Sequence, residues 1–419
     1  MYEEAAQLLS FVTEENEVTY PMVYYALGYF VSQMGKKEEA LSLYKKAETM
    51  CPDYCFPNKL EEVMMLNDAM LLNPEGAKAP YYLGNFHYAS RIYDEAIACW
   101  EKSAFIDDTY PTVLRNLSLA YYNKQHNPKK ALATLEKAYN LDTTDARILM
   151  ELDQLYKKLR YPHRQRLDFL EAHADIVEQR DDLCIERITL YNQLGEYQKA
   201  YDLINARKFH PWEGGEGKVT SQYLLCRVEL AKIAIREGRF ADAVRLLKET
   251  EKYPDNLGEG KLSMAEENDI HYWMGCAYEG LGEETLAKEY FTKATKGSAE
   301  PAIAFFYNDQ QPDKIFYQGL AWRKLGEEDK ARSRFNRLIK HGEKHLFDKV
   351  KIDYFAVSLP DLLIWDDDLN VRNLIHCNLV MGMGYLGLGD KEKAHQFLSE
   401  VVRLDINHQA GKQLLEMCE

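Results

Sequence analysis

The sequence predicts an all-α protein, a solenoid of stacked helix pairs, and three observations carry that prediction. The first is a recurring order of apolar, small and aromatic residues along most of its 419 positions. The second is the spacing within residues 268–295, NDIHYWMGCAYEGLGEETLAKEYFTKAT. Met274, Gly275 and Tyr278 share one face of a first helix there, and Ala287, Phe291 and Ala294 share one face of a second. Small residues let the two helices approach, the aromatics fill the space beside them, and Gly282 suits a left-handed turn where a Cβ is costly. The third is that such a pair cannot bury both of its faces alone, and stacked copies of it are present in the chain.

In chain order, residues 2–11 read as the second helix of a pair, entered without a cap, so a preceding part is expected upstream. The first full copy spans 21–52, with Tyr24, Leu27, Gly28, Gly35, Ala40, Tyr44, Ala47 and Pro52 in the recurring places. A further helix over Leu60–Leu72 stops at Asn73-Pro74 and is read as a degenerate copy. Leu83, Gly84, Ala96 and Trp100 mark the copy over 77–108. Leu114, Leu117, Tyr121, Ala131 and Ala138 mark that over 111–141, with one residue inserted near Asn127-Pro128. Residues 146–180 are less regular, although Leu149, Leu152, Leu155, Tyr156 and Leu159 keep a helical period and Pro162 restarts a helix. Later copies are marked by Tyr191, Gly195 and Ala200, by Gly238, Ala243 and Leu247, by Gly319, Trp322, Gly326, Ala331 and Phe335, and by Gly382, Tyr385, Gly389 and Ala394.

This order of residues resembles the tetratricopeptide repeat, whose period is about 34 residues. The resemblance implies a right-handed superhelix of about nine helix pairs and a protein partner, without naming one. It also implies that the first helix of each pair lines a concave groove at fixed offsets. In the early copies those offsets fall on Tyr25, Tyr29, Tyr81, Asn85, Tyr88, Arg115 and Tyr122. A tyrosine offers a flat apolar face and a hydroxyl, which suits peptide or sugar recognition. The competing reading for any one of them is ordinary packing between helices.

Four loops interrupt the pattern: 208–218 (KFHPWEGGEGK), 253–261 (YPDNLGEGK), 297–313, and 353–368 (DYFAVSLPDLLIWDDD). They divide the chain into a partial helix over 1–20, a regular array over 21–207 and a looped array over 208–419. HPWEGGEGK, NLGEGK, YNDQQPD and DYFAVSLPDLL are similar to the C-terminal arrays of large uncharacterised bacterial proteins. Those proteins carry a galactose-mutarotase-like β-rich domain ahead of the repeats. The resemblance implies a carbohydrate-related setting and a second reading of function, in which the loops contribute to a carbohydrate-active site of that adjoining domain. Trp212, Glu213, Glu216, Asn308, Asp309 and Asp361 are then the expected docking face. Aromatics are costly to leave in water, so these loops are expected to be ordered and clustered rather than simple linkers.

Other chemistry is read against plainer alternatives. The GGEGK loop lacks the Ser or Thr of a P-loop, since Val219 follows Lys218, and no strand precedes it. Glu213, Glu216, Asp309, Asp353, Asp361 and Asp366–Asp368 could pair as glycosidase carboxylates. For the Asp366-Asp367-Asp368 triplet, capping the helix that follows is the favoured reading. His341 and His345, at helical spacing, make a weak metal pair, with a solvated face as the alternative. No catalytic residue, cofactor or metal site is assigned. A net charge of −15 argues against nucleic acid and against an anionic membrane surface. No apolar run reaches the roughly 18 residues that span a bilayer. The eight cysteines form no CxxC pair and read as free thiols in a reducing cytoplasm.

Overall fold

The computed structural model describes residues 1–15, 20–263, 265–302, 311–350 and 364–418. Apart from one 3₁₀ turn at Asp255–Leu257, every regular element among them is an α-helix, and no strand occurs. The chain forms two compact units, 1–155 and 156–419. The 207/208 division drawn from loop regularity falls inside the second.

Unit 1 opens with α1 (Tyr2–Glu15), which packs on α2 (Pro21–Gln33). α2 pairs with α3 (Lys37–Thr49). α4 (Leu60–Leu72) follows, then the pairs α5 (Lys78–Ala89) with α6 (Tyr93–Ile106) and α7 (Pro111–Asn123) with α8 (Pro128–Leu141). Most of α9 (Ala146–Lys158) closes the unit. The helix starts follow local chemistry. Pro stands in the first turn of α2, α7 and α8, where a missing N–H costs nothing, and the Asn127 side chain accepts from Lys130 N at α8. α4 is an insertion. The α3 carboxylate of Glu48 accepts from the backbone N–H groups of Lys78 and Ala79 at the start of α5, so the pairs on either side of α4 remain neighbours. α4 itself packs against α2 and α5, and less against α3.

Unit 2 begins with α10 (His163–Glu171) and the single turn α11 (Ala174–Val177). Five pairs follow: α12 (Asp181–Gln193) with α13 (Tyr197–Ala206), α14 (Lys218–Arg236) with α15 (Phe240–Lys248), α16 (Asn268–Gly280) with α17 (Glu284–Ala294), α18 (Pro312–Lys324) with α19 (Glu328–His345), and α20 (Leu369–Leu388) with α21 (Lys391–Leu404). A last helix, α22 (Gln409–Glu416), packs on α21. The first helices α12, α14, α16, α18 and α20 also touch one another in succession, which makes one continuous wall. Asp368 caps α20 by accepting from Asn370 N, as the capping reading of the acidic triplet expects.

The repeat glycines lie at helix–helix contacts. Gly28 faces Tyr44, Gly84 faces Trp100, Gly275 faces Phe291, Gly319 faces Phe335 and Gly382 faces Leu398, each across its own pair. A Cβ on Gly275 would sit 2.6 Å from the Phe291 ring. Gly275→Leu is therefore expected to overpack this contact and cost about 1–3 kcal/mol or more. Urea unfolding followed by circular dichroism tests this, and an unchanged midpoint would remove the glycine from the contact. Gly282, at the turn inside the same pair, has φ +78°. In two pairs of unit 1 the corresponding left-handed position is held by Arg91 and His126 instead.

Candidate functional site

In unit 1 the groove offsets divide in two. Tyr25 is fully buried: its ring lies 6.1 Å from Tyr44 and 5.9 Å from Tyr82, and its hydroxyl donates to Glu48 at 2.9 Å. Tyr81 is also buried, edge-on to Tyr110 at 5.1 Å. These two are interior residues of the interface between pairs. Tyr29, Asn85, Tyr88, Arg115 and Tyr122 are half-buried. Two of the offsets, Asn85 and Arg115, join a polar ladder across α5, α7 and α9. Trp100 Nε1 and Asn116 Nδ2 donate to Asn85 Oδ1, at 3.1 and 3.3 Å. Arg115 Nη1 donates to Asn116 Oδ1 at 3.1 Å, and Arg115 Nε donates to Glu151 at 2.6 Å. Glu151, which the offsets did not single out, is fully buried and also receives Arg147.

In unit 2 an aromatic and charged stretch lies where α14, α16 and α18 meet. Trp273 Nε1 donates to the Tyr317 hydroxyl at 3.3 Å, and the Tyr272 ring lies 5.2 Å from Trp273 and 5.5 Å from Tyr317. All three rings are half-buried. Lys232 sits 5.3 Å above the Trp273 ring and pairs with Glu229. Beside them Lys314 pairs with Asp269 at 2.5 Å and Asp313 at 3.3 Å. Burial alone would lower the Lys314 ammonium; Asp269 and Asp313 more than reverse this and hold it above its ordinary value. Burial pushes the Asp313 carboxyl up, against the pull of Lys314. Burial likewise raises the Tyr317 phenol, with Asp269 adding to it. The sequence reading passed over this stretch because it carried the groove offsets only into the early copies. A usable signal was present: Trp273 and Tyr317 each stand two residues before a repeat glycine.

Two of the four irregular loops meet. Phe209 N donates to Asn256 O at 2.7 Å, and Asn256 Nδ2 donates to the carbonyls of Ile204 and Arg207. Glu259 of the second Gly-Glu-Gly-Lys run accepts from Gly217 N of the first at 3.0 Å. Trp212 is half-buried over Gly215, where a Cβ would collide with the indole, while Glu213 and Glu216 point to solvent. Asn308, Asp309 and Asp361 lie outside the described residues, and so does most of the other two loops.

The end of unit 2 returns to its beginning. Asn407 Oδ1 accepts from His163 Nε2 at 3.2 Å and from Arg166 Nη1 at 3.3 Å. Asn407 O accepts from Gln193 Nε2 at 2.7 Å, and Lys412 Nζ donates to Gln193 O at 2.9 Å. Lys158 pairs with Asp367 of the acidic triplet at 2.9 Å. Beneath this junction Glu186 receives both Lys157 and Arg166 at 2.8 Å.

The histidine pair is part of a half-buried group. The His341 ring lies 4.6 Å from His345 and 5.9 Å from His376. Burial, reinforced by His341, lowers His376 to about 4, so it is neutral near pH 7. Among the described residues no three or more His, Cys, Asp or Glu side chains are arranged to hold a metal. All eight cysteines are unpaired, and no described helix is long and apolar enough to cross a membrane.

Sequence profiles of the tetratricopeptide repeat match residues 23–54 and 269–296, and a second profile of that description matches 315–341. The chain carries tetratricopeptide repeats in an all-helical solenoid of that type, and such repeats mediate contacts between proteins. Among solved structures it is similar to YrrB, described as a tetratricopeptide-repeat protein with an unusual peptide-binding site. That likeness has 18% identity and a TM-score of 0.31, and covers 53% of this chain and 96% of that one. It is similar to MamA at 15% identity and TM-score 0.28, over 42% of this chain and 90% of that one. A tetratricopeptide repeat protein from Parabacteroides merdae is similar at 14% identity and TM-score 0.29, over 70% of this chain and 95% of that one.

Proposed function

We propose that this chain is a protein-interaction scaffold whose second unit takes an extended segment of a partner protein along the wall of α14, α16 and α18. The observation that carries the reading is the Trp273–Tyr317 hydrogen bond between neighbouring first helices. It fixes two half-buried aromatic faces in a row, beside the paired charges of Lys232, Lys314, Asp269 and Asp313. Flat apolar faces with polar tips anchor a peptide at low entropic cost, and fixed charges set its register. The unpaired thiols suit a reducing cytoplasm.

A second reading keeps the bacterial, carbohydrate-related setting suggested by the loops. In it the pinned face of Trp212, Glu213 and Glu216 docks an adjoining β-rich domain, or rims that domain's site. The bond from Gly217 to Glu259 favours this, because a docking face must be rigid.

Panning the protein against a random peptide library tests the first reading. Enriched peptides are expected to lose at least about tenfold in affinity, or 1.4 kcal/mol, on Trp273→Ala or Tyr317→Ala. Equal binding by both folded variants would overturn it. A loss confined to Trp212→Ala would move the site to the loops.

A further inference from the structure

In unit 1, α4 carries a surface that the peptide wall of unit 2 does not account for. Its sequence, LEEVMMLNDAMLL, is apolar on more than one side. Leu66 and Ala69 face inward and are buried, consistent with its packing on α2 and α5. On the other side Leu60, Met64 and Leu71 are 77%, 52% and 77% exposed. Their spacing puts them on one stripe of the helix. Phe56, 66% exposed, stands just ahead of the helix start. That start is held by Glu62, whose carboxylate accepts from the backbone N–H groups of Asn58 and Lys59. Isolated surface leucines need no explanation, but an aligned stripe of Leu and Met on one ordered helix marks a contact surface.

The border of the stripe says what covers it. Glu61 is exposed beside Leu60, Asp53 and Glu75 are exposed on the segments that flank the helix in sequence, Glu62 and Asp68 are half-buried, and Lys59 is the lone cation of residues 53–75. We propose that this stripe docks a basic amphipathic helix of a partner protein. Apolar anchors spaced by three and four residues would lie along Leu60, Met64 and Leu71, with Met64 adapting its shape to the anchor it meets. Lysines or arginines flanking those anchors would meet Glu61 within this acidic segment. The same border disfavours an anionic lipid surface, which attracts basic segments instead. It also disfavours a second copy of this face, because a two-fold contact would bring like carboxylates together.

The test uses the whole chain and a labelled synthetic helix of Leu and Lys, patterned so that one face is apolar. A scrambled peptide of the same composition and a Leu–Glu helix are the controls, and binding is read by fluorescence anisotropy. The patterned basic helix is expected to bind at least about tenfold more tightly than its scramble, and the Leu–Glu helix not to bind. Leu60→Asp with Leu71→Asp should abolish the difference. Glu61→Lys, which leaves the stripe intact, should weaken binding and flatten its salt dependence. Equal binding of helix and scramble would overturn the proposal, as would binding unchanged by the double variant. Self-association in sedimentation that the double variant abolishes would assign the face to a second copy. Capture by phosphatidylserine vesicles lost in the same variant would assign it to lipid. Either result overturns the proposal.

Discussion

Replacing Glu186 with alanine is expected to lower the stability of unit 2 by about 3–5 kcal/mol. Glu186 is the shared acceptor for Lys157 and Arg166, each at 2.8 Å, and the Arg166 side chain is only 1% exposed. Taking the carboxylate away removes the counter-charge that a buried guanidinium and an ammonium share. The penalty is then their desolvation and mutual repulsion, which exceeds what the ion pair contributed. Arg166 also donates to Asn407, so the loss should loosen the junction between the end of the unit and its start. Hydrogen exchange in α22 is the local readout, and urea unfolding is the global one. A change below about 1 kcal/mol would show that the carboxylate is not needed to hold the cations.

The pH dependence gives an independent check. Burial alone would raise the Glu186 carboxyl, but Lys157 and Arg166 outweigh it and hold the carboxyl well below the usual carboxylate range. In the unfolded chain it titrates near 4.3. Between those two values the unfolded chain binds more protons than the folded one. The contribution is therefore fully present above about pH 4.3 and is lost as pH falls through the folded value. Wild-type protein should destabilise more steeply over that acid range than Glu186→Gln, which has no proton to take up there. Parallel curves for the two proteins would contradict the assigned shift.

How much of this was legible in the sequence depends on the distance over which each feature is decided. The glycine-to-aromatic contacts were legible because each is settled inside one helix pair, where spacing alone decides which residues meet. Gly275 against Phe291 needs nothing beyond its own turn. Asp368 as a cap was legible for the same reason. The pinning of the loop at 208–218 by Asn256 and Glu259 was expected in kind but not in its partners. Tyr25 shows the limit of an offset. A helical offset gives the face on which a side chain stands and says nothing of what comes to cover that face. Tyr82 of the next pair closes over Tyr25, and Cys55 of the inserted stretch lies close enough to raise its phenol further after burial and Glu48 have done so. The return of Asn407 to His163 and Arg166 was illegible, because it sums the curvature of every intervening pair. Small rotations per repeat accumulate, and no local pattern records their total.

In unit 1 the corresponding expectation falls on Glu151. Glu151→Ala should cost about 3–5 kcal/mol, because its fully buried carboxylate neutralises Arg115 and Arg147 together. Arg115 is only 17% exposed at its side chain and cannot turn out to water without leaving Asn116. The loss should therefore travel along the ladder through Asn116 to Asn85, whose one side-chain oxygen also accepts from the Trp100 indole. Asn85→Ala alone removes a neutral acceptor and should cost only about 1–2 kcal/mol. Arg115→Leu in the Glu151→Ala background removes the stranded cation, so the double variant should recover part of the stability lost by Glu151→Ala alone. Tryptophan emission reports on Trp100 in the same samples, and urea midpoints give the energies. Strict additivity of the two single changes would mean that Arg115 and Glu151 act separately, and the ladder would not be one network.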